Sequence, residues 1–438
     1  MSRSSSLLQR SLQSVWHPCT QMKHHERYPL VPISRGEGAW LFDADGKGYL
    51  DAVSSWWVNL FGHNQPQIKA AIRAQLDQLE HVMLAGFTHA PVVELSEQLA
   101  ALTGLGHAFY GSDGASATEI ALKMSFHYWR NTGQPHKTKF LSLQNSYHGE
   151  TLGALAVTDV AIFTDTYAPL LQQSAHMPSP DSRLAADGES DHAYALRCAQ
   201  ALESHVAQHH ATLAALIVEP LVQGAAGMAM YHPVYLQRAR EICQRYQLHL
   251  IADEIAVGFG RTGTLFACEQ AGERVSDIAD FICLSKGITG GYLPLSVVLT
   301  TDTVYQAFYH DQAVKGFLHS HSYTGNPLAC SAALATLQLF AGRDVLSENR
   351  QTAQQLWQAV QSYDLPLQQV RQRGMITAFD IDTSNPQFAH DCYAAALENG
   401  LLLRPIGNTV YWMPPYCLTA EDQAHLVRAT RAAIVESL

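Results

Sequence analysis

The chain has 438 residues, of which 47% are hydrophobic and 15% are charged, so it is long enough for a large domain with a smaller companion and can bury a sizeable core. Lys and Arg together number 28 against 39 Asp and Glu, giving a formal net charge of -11 without a dense basic run. This charge balance argues against nucleic acid and anionic membrane as partners.

The cysteines and the apolar pattern indicate the compartment. The eight cysteines form no C-x-x-C pair, and several lie in apolar or helical patterns where a free thiol packs as a small hydrophobe. No apolar run reaches the roughly 18 residues of a membrane span, and the first residues lack the continuous apolar segment of a secretory signal. We therefore expect a cytoplasmic protein without structural zinc.

Two aromatic-rich segments near the start of the chain lack both helical and strand periodicity. They read Trp16-His-Pro-Cys-Thr-Gln-Met22 and Ser54-Ser-Trp-Trp-Val-Asn-Leu60. From the pattern alone, aromatic packing between domains is favoured over a ligand pocket. Short strands are predicted between these segments, at residues 39–42 and 49–52, around a turn.

A loop of small residues follows a strand predicted at 107–110. It reads Gly111-Ser-Asp-Gly-Ala-Ser-Ala-Thr-Glu119 and opens a strongly helical stretch over residues 120–130. Such a loop presents free backbone N–H groups and the positive end of the helix dipole, which suits a phosphate. Most loops of this kind are ordinary helix caps, so the pattern alone leaves both explanations open.

The next predicted strand, residues 139–143, leads to Asn145-Ser-Tyr-His-Gly-Glu150. An aromatic ring at a strand end, followed by glycine, can lie flat on a planar cofactor. A tyrosine at the rim of a pocket explains Tyr147 equally well. The sequence leaves the role of Glu150 open.

Two later strands are predicted to end in charged residues that could meet over one ligand. The run 248–252 leads to Asp253 and Glu254, and the run 280–285 delivers Lys286. Ligands of open α/β sheets bind at the carboxyl ends of the strands. A lysine that bonds to a cofactor aldehyde and a carboxylate that pairs with a pyridine nitrogen are what pyridoxal phosphate requires. Taken alone, a helix cap and a solvated charge explain the two residues as well.

One arginine stands among apolar residues near the carboxyl end of the chain. Arg404 lies within Gly400-Leu-Leu-Leu-Arg-Pro-Ile-Gly-Asn-Thr-Val-Tyr-Trp-Met-Pro-Pro415. A buried cation needs an anionic partner, which is either an internal acid or the carboxylate of a substrate.

The segments Asp253-Glu-Ile-Ala-Val-Gly-Phe-Gly-Arg-Thr-Gly263 and Leu284-Ser-Lys-Gly-Ile-Thr-Gly-Gly291 together resemble the signature of the class III, fold type I aminotransferases that depend on pyridoxal 5'-phosphate. The resemblance implies an α/β fold, with a large domain around a mainly parallel central sheet and a smaller α+β domain. The expected divisions are an amino-terminal arm at 1–60, the large cofactor-binding domain at 61–328 and the small domain at 329–438.

The resemblance also implies roles for individual residues. Catalysis is assigned to Lys286, Asp253 and Tyr147, and these three also bind the cofactor together with Gly114, Ala115, His321 and Ser322. Substrate binding is assigned to Trp56, Tyr147, Lys286, Ser320, Arg404 and Cys19. Three positions depart from the usual pattern, because many relatives carry tyrosine at 19 and threonine at 322, and some carry proline at 321.

The two aromatic segments are similar to those of the biotin-pathway branch of this family. That branch transfers an amino group from S-adenosylmethionine to 7-keto-8-aminopelargonic acid (8-amino-7-oxononanoate), two small-molecule substrates. The resemblance further implies a homodimer with shared active sites, in which the loop around residues 319–327 closes over the cofactor phosphate of the neighbouring subunit. The alternatives are lysine as the donor, another class III aminotransferase of ω-amino acids or diamines, a decarboxylase or racemase with the same cofactor, and a non-catalytic cofactor sensor.

Overall fold

The computed structural model describes residues 3–28, 30–172 and 174–438. The chain divides into two compact units. The continuous unit comprises residues 67–350, and the discontinuous unit combines residues 1–66 with residues 351–438.

A seven-stranded sheet forms the centre of the continuous unit. Its strands, in spatial order, are His107–Gly111, Ser296–Thr300, Phe281–Leu284, His249–Asp253, Leu213–Val218, Lys139–Leu143 and Ala175–Met177. Four of the pairings are parallel, and Ser296–Thr300 runs antiparallel to both of its neighbours. Every residue of Leu213–Val218 is buried, which explains its uninterrupted apolar sequence.

Helices surround this sheet. Between residues 66 and 341 the α-helices are Pro66–Leu76, Ala90–Thr103, Gly114–Asn131, Leu152–Leu155, Ala161–Thr164, Asp191–His209, Val234–Arg245, Val275–Ile278, Asp302–Gln306 and Pro327–Ala341. The helix Val345–Gln361 continues into the discontinuous unit, where Leu356 and Val360 are part of the core. Short 3-10 helices lie at Asp165–Leu170, Ser182–Leu184, His210–Thr212, Ala267–Gln270, Lys286–Thr289 and Ala313–Lys315, and Val222–Gln223 pairs with Ala229–Met230. Ile120 and Leu122 of the helix Gly114–Asn131 belong to the same buried cluster as Ile251 of the sheet.

Two smaller sheets build the discontinuous unit. One contains Ile33–Glu37, Trp40–Asp43, Gly48–Asp51 and Leu401–Leu402, and the other contains Leu367–Arg373, Ile376–Ile381 and Thr409–Trp412. The remaining elements are Arg3–Ser14, Met22–Glu26, Ser54–Trp57, Phe388–Glu398 and Ala420–Ser437. Leu50 from the first chain segment and Phe379, Trp412 and Leu426 from the second share one core. Among the described residues, no helix has the length and apolarity needed to cross a membrane.

Candidate active site

The carboxyl edge of the seven-stranded sheet carries Asp253 and Lys286. The strands His249–Asp253 and Phe281–Leu284 are parallel neighbours, and Asp253 is in register with Cys283. Asp253 is buried, and Lys286 begins the short helix Lys286–Thr289 with a φ of 44°. Because residues other than glycine rarely adopt a positive φ, the surrounding structure must hold the backbone at Lys286.

The environment of Lys286 favours its uncharged form. Burial lowers the pKa of the Lys286 amine from its usual range, and the negative charges of Asp253 and Glu219 oppose part of that shift. A lysine with a lowered pKa supplies more neutral amine, which is the form that attacks an aldehyde and accepts a proton. The site can therefore provide both a nucleophile and a base.

A histidine orients the carboxylate of Asp253. The Nδ1 atom of His148 lies 2.7 Å from Oδ2 of Asp253, and both side chains are buried. A carboxylate only accepts, so Nδ1 carries the proton and donates it to Asp253. The backbone N–H of Ile255 donates to the other oxygen of Asp253 at 3.1 Å. These two donors fix the direction in which the carboxylate points.

Two threonines fix the backbone of His148, and the ring is closed to solvent. The backbone N–H of His148 donates to Oγ1 of Thr158 at 3.0 Å, and its backbone carbonyl accepts from Oγ1 of Thr118 at 2.8 Å. Nε2 of His148 is buried without a hydrogen-bond partner in the described parts of the chain. The one side-chain hydrogen bond of His148 in these parts of the chain is therefore the bond to Asp253.

Tyr147 is positioned by two glutamates. Its backbone N–H donates to Oε2 of Glu219 at 3.0 Å, and its hydroxyl donates to Oε1 of Glu150 at 2.9 Å. The other oxygen of Glu219 accepts from the backbone N–H of Gly224 at 2.9 Å. Burial raises the pKa of Glu219 to about 7. Glu150, whose role the sequence left open, is therefore a partner of the Tyr147 hydroxyl.

The predicted phosphate loop opens the 18-residue helix Gly114–Asn131. The Asp113 side chain caps this helix by accepting from the N–H of Ser116 at 2.8 Å. A Cβ atom at Gly114 would lie 3.0 Å from Cγ2 of Ile255, and one at Gly149 would lie 2.7 Å from Cβ of Ala115. The helix start is therefore tightly enclosed, while its first N–H groups have no partner within the helix.

These groups match the chemistry of pyridoxal phosphate. The helix start suits a phosphate, the oriented Asp253 carboxylate suits a protonated ring nitrogen, and the Lys286 amine suits an aldehyde. The residues present thus fit the implied cofactor.

The segment 319–322 lies beside the helix Gly114–Asn131. Nδ1 of His319 is 2.8 Å from Nζ of Lys123, and Nε2 of His319 is 3.0 Å from Nε2 of His321. Ser320 and Ser322 are exposed. The assignment of these residues to the site of a neighbouring subunit stays a prediction.

Three residues assigned to substrate binding come together in the discontinuous unit. Cζ of Arg404 lies 4.4 Å from the centroid of the Trp56 ring, and Nη2 of Arg404 donates to the carbonyl oxygen of Cys19 at 3.5 Å. The expectation of a buried cation is wrong, because Arg404 is exposed. The guanidinium rests on an aromatic face with its outer edge open, as the recognition of a carboxylate requires.

Sequence reasoning missed His148 and Glu219 as parts of the site. His148 stands next to Tyr147, and Glu219 follows the buried strand Leu213–Val218. Their partners lie 105 and 72 residues away along the chain, so no local pattern reveals them. The one signal for His148 was its position after the carboxyl end of the predicted strand 139–143.

Known proteins resemble the whole chain. The sequence profile of the family described as aminotransferase class-III matches residues 21–434. Adenosylmethionine-8-amino-7-oxononanoate aminotransferase of Helicobacter pylori is 43% identical over 447 residues, covering 100% of this chain and 99% of that protein. The protein of the same name in Geobacter sulfurreducens is 39% identical, covering 96% of this chain and 95% of that protein.

Solved structures show the same similarity. The crystal structure of adenosylmethionine-8-amino-7-oxononanoate aminotransferase from Methanocaldococcus jannaschii is 34% identical with a TM-score of 0.91, covering 99% of both chains. An amine transaminase from an uncultivated Pseudomonas species, in its PLP-bound form, is 32% identical with a TM-score of 0.90, covering 97% of this chain and 99% of that chain.

Proposed function

Because the chain belongs to the class III aminotransferases, we propose that it transfers an amino group from S-adenosylmethionine to 8-amino-7-oxononanoate, giving 7,8-diaminononanoate for biotin synthesis. The names of the Helicobacter, Geobacter and Methanocaldococcus proteins support these substrates, because each similarity extends over nearly the full length. The single observation that carries the reaction class is the buried pair of Asp253 and His148 at the sheet edge that also carries Lys286.

The cofactor is pyridoxal 5'-phosphate, which when bound supplies an aldehyde that takes up amino groups and a ring that accepts electrons as a substrate proton leaves. The N–H groups of Gly114 and Ala115 bind its phosphate at the positive end of their helix. Asp253, oriented by His148, would pair with the ring nitrogen.

Lys286 moves the proton in both half-reactions. Its Nζ takes a proton from the α-carbon of the donor, and in the second half-reaction it delivers one to the carbon that bears the acceptor ketone. The lowered pKa of Lys286 suits both directions, because the neutral amine accepts a proton and the ammonium releases it readily. Tyr147, fixed by Glu219 and Glu150, would stack its ring on the bound cofactor.

Arg404 binds the carboxylate of 8-amino-7-oxononanoate. Its open guanidinium edge can form a charge-assisted hydrogen bond to the carboxylate, worth roughly 1.5–3 kcal/mol. The interaction is bidentate where both Nη atoms face the same carboxylate. Trp56 supports the guanidinium from one face, and the Cys19 contact uses the backbone carbonyl rather than the thiol. Ser320 completes the set of substrate contacts.

The working form is a cytoplasmic homodimer with shared active sites. The exposed side chains of Leu318 and Tyr323, at 82% and 67%, flank the polar residues His321 and Ser322. Their exposure supports a surface that another subunit covers. The polar residues between them then donate to the cofactor phosphate of the other subunit.

Two measurements test the proposed function. The gene should restore growth to a biotin auxotroph that lacks this aminotransferase step, and the Lys286→Ala variant should not. In single-turnover assays of the purified holoenzyme, S-adenosylmethionine should bleach the yellow cofactor and 8-amino-7-oxononanoate should restore the colour. If lysine bleached the cofactor and S-adenosylmethionine did not, the choice of donor would be overturned. A cofactor that regains its colour without an acceptor would indicate a decarboxylase or racemase.

A further inference from the structure

Residues 54–57 form a turn of left-handed helix in the discontinuous unit. Their φ angles are 52° at Ser54, 48° at Ser55, 73° at Trp56 and 71° at Trp57. L-residues avoid this conformation because Cβ approaches the following carbonyl oxygen, and a run of four is far rarer than a single residue. Such strain persists only where other contacts determine the backbone.

Asp51 supplies one set of these contacts. Its side chain is fully buried, and its Oδ1 accepts from the backbone N–H groups of Val53 at 3.3 Å and Ser55 at 2.9 Å. Its Oδ2 accepts from the Ser55 hydroxyl at 2.7 Å and from Nε2 of His63 at 3.0 Å. One carboxylate therefore holds the entry to the turn with three hydrogen bonds, and a fourth bond, from His63, fixes the carboxylate itself.

The strand Thr409–Trp412 and the residue after it hold the other side. The Ser54 hydroxyl donates to the carbonyl oxygen of Met413 at 2.7 Å, and Nε1 of Trp57 donates to the hydroxyl of Tyr411 at 3.1 Å. Ser54 and Trp57 are buried. The left-handed turn is thus fixed at both ends by side chains that point inward.

Trp56 is the residue of the turn that faces outward. It is 43% exposed, and its ring carries the guanidinium of Arg404 at 4.4 Å. Asp51 is in register with Leu402, which precedes Arg404 by two residues, and the N–H of Ala52 donates to the carbonyl of Leu402 at 3.2 Å. The two chain segments that carry Trp56 and Arg404 are therefore paired just before these residues, at Asp51 and Leu402.

We propose that Asp51 is a positioning residue for substrate binding, which holds the left-handed turn so that Trp56 fixes the Arg404 guanidinium for the carboxylate of the acceptor. This inference rests on the proposed function, because that function gives Arg404 its carboxylate ligand. A right-handed or relaxed turn would move the Trp56 ring away from the guanidinium. Arg404 would then have to be ordered again each time the acceptor binds.

The first test is a double-mutant cycle on the holoenzyme. Asp51→Asn should raise the KM for 8-amino-7-oxononanoate by about tenfold at saturating donor, with kcat changed by less than about twofold, because uniform binding is lost. In the Arg404→Ala background the same change should have almost no further effect on KM, since the two residues act on one contact. Equal effects in the two backgrounds would overturn the proposal.

Asp391→Asn is the matched control. Asp391 anchors the same unit by accepting from the Tyr28 hydroxyl at 2.8 Å and from the Asn385 amide at 3.0 Å, and neither partner belongs to residues 54–57 or to the strand Thr409–Trp412. It should lower the melting temperature without raising the acceptor KM. A KM rise equal to that of Asp51→Asn would show that loss of stability alone explains the effect, and would overturn the proposal.

Two substitutions at Ser55 keep the test decisive if Asp51→Asn does not fold. Ser55→Ala removes the hydroxyl and keeps the strained Cβ, whereas Ser55→Gly removes the hydroxyl and adopts the positive φ freely. The acceptor KM should therefore rise more in Ser55→Ala than in Ser55→Gly. An equal or larger rise in Ser55→Gly would overturn the role of the turn. A wild-type enzyme that never turns over the acceptor would instead overturn the proposed function.

Discussion

Lys286 is the residue on which the proposed chemistry most directly depends. Lys286→Ala removes the amine but leaves the phosphate donors of Gly114 and Ala115, so we expect the variant to retain the cofactor and to lose about 10²–10⁴ in turnover. Cofactor retained after dialysis and the rate of transamination measure the two effects. Lys139→Ala, which changes an exposed lysine on the same sheet, should match the wild type. Sustained turnover by Lys286→Ala would contradict its role.

Glu219 makes the stability of the folded chain depend on pH. Burial raises its pKa from 4.5 to about 7, so between these values the folded chain binds more protons than the unfolded chain. The contribution of protonated Glu219 to stability is therefore present below pH 4.5 and lost as the pH rises to 7. We expect the melting temperature of the wild type, relative to Glu219→Gln, to fall across this window and to stay level above it.

Glu254→Gln provides a control for that experiment. Burial also raises the pKa of Glu254 to about 7, and its carboxylate accepts from the N–H groups of Ala267 and Cys268 rather than from Tyr147. Both variants should lose a pH dependence of the melting temperature that has the same sign. Only Glu219→Gln should also slow turnover, because only Glu219 holds the backbone of Tyr147. Equal losses of turnover would argue against the positioning role of Glu219.

Sequence reasoning at the residue scale can place a residue that carries its own signal. Asp253 and Lys286 were expected at one sheet edge, and the structure places them there because Asp253 ends, and Lys286 closely follows, strands that are parallel neighbours. His148 was not, because its importance depends on Oδ2 of Asp253, 105 residues later. The exposure of Arg404 was also missed, since apolar neighbours in sequence need not surround a side chain in space.

At the scale of elements, the start of the helix Gly114–Asn131 depends on a glycine from another segment. Gly149 has a φ of 119°, and a Cβ atom there would lie 2.7 Å from Cβ of Ala115. Gly149→Ala should therefore displace the helix start and raise the cofactor dissociation constant by about tenfold or more, the change that roughly 1.4 kcal/mol produces. Titration of the apoenzyme with pyridoxal phosphate measures it.

Gly133→Ala separates backbone strain from crowding in that experiment. Gly133 follows the same helix with a φ of 85°, but a Cβ atom there would meet nothing within 4 Å. The control should lose stability and keep its cofactor affinity. If the two variants lost affinity equally, the crowding of Ala115 would not be the cause.

The strands were predictable as elements, and the left-handed turn was not. The predicted strands at 107–110, 139–143, 248–252 and 280–285 are confirmed, with ends shifted by one residue at most. Short apolar runs bounded by polar residues suffice to locate them. The conformation of Ser54–Trp57 depends on Asp51, Tyr411 and Met413, and a sequence of two serines and two tryptophans carries no local preference for positive φ.

At the scale of the whole molecule, the predicted fold class is confirmed. The structural similarity to class III transaminases and the mostly parallel central sheet both agree with it. The antiparallel strand Ser296–Thr300 was not foreseen, because a fully buried apolar run reads the same in either direction.

The proposed homodimer with shared active sites predicts complementation between two inactive variants. Lys286→Ala lacks the proton carrier, and Ser322→Asp should repel the cofactor phosphate of the other subunit. In a mixed dimer, the site with an intact Lys286 receives an intact loop from the Lys286→Ala chain, so about half of the wild-type activity per hybrid dimer should return. If Ser322 served its own subunit, the hybrid would stay inactive. A mixture of two differently tagged wild-type chains controls for exchange of subunits.

The division of one unit between the two ends of the chain imposes an order on synthesis. Residues 67–350 form a continuous unit, and they include Lys286, Asp253 and His148. Arg404 contacts Trp56, and Leu402 pairs with Asp51. Both Arg404 and Leu402 are translated only after that unit is complete. On the ribosome, where domains generally fold as units and the earlier part folds first, the chain can assemble its cofactor cluster while Trp56 still lacks its partner. Within one chain, the contact between Trp56 and Arg404 therefore forms after the residues that bind the cofactor are in place.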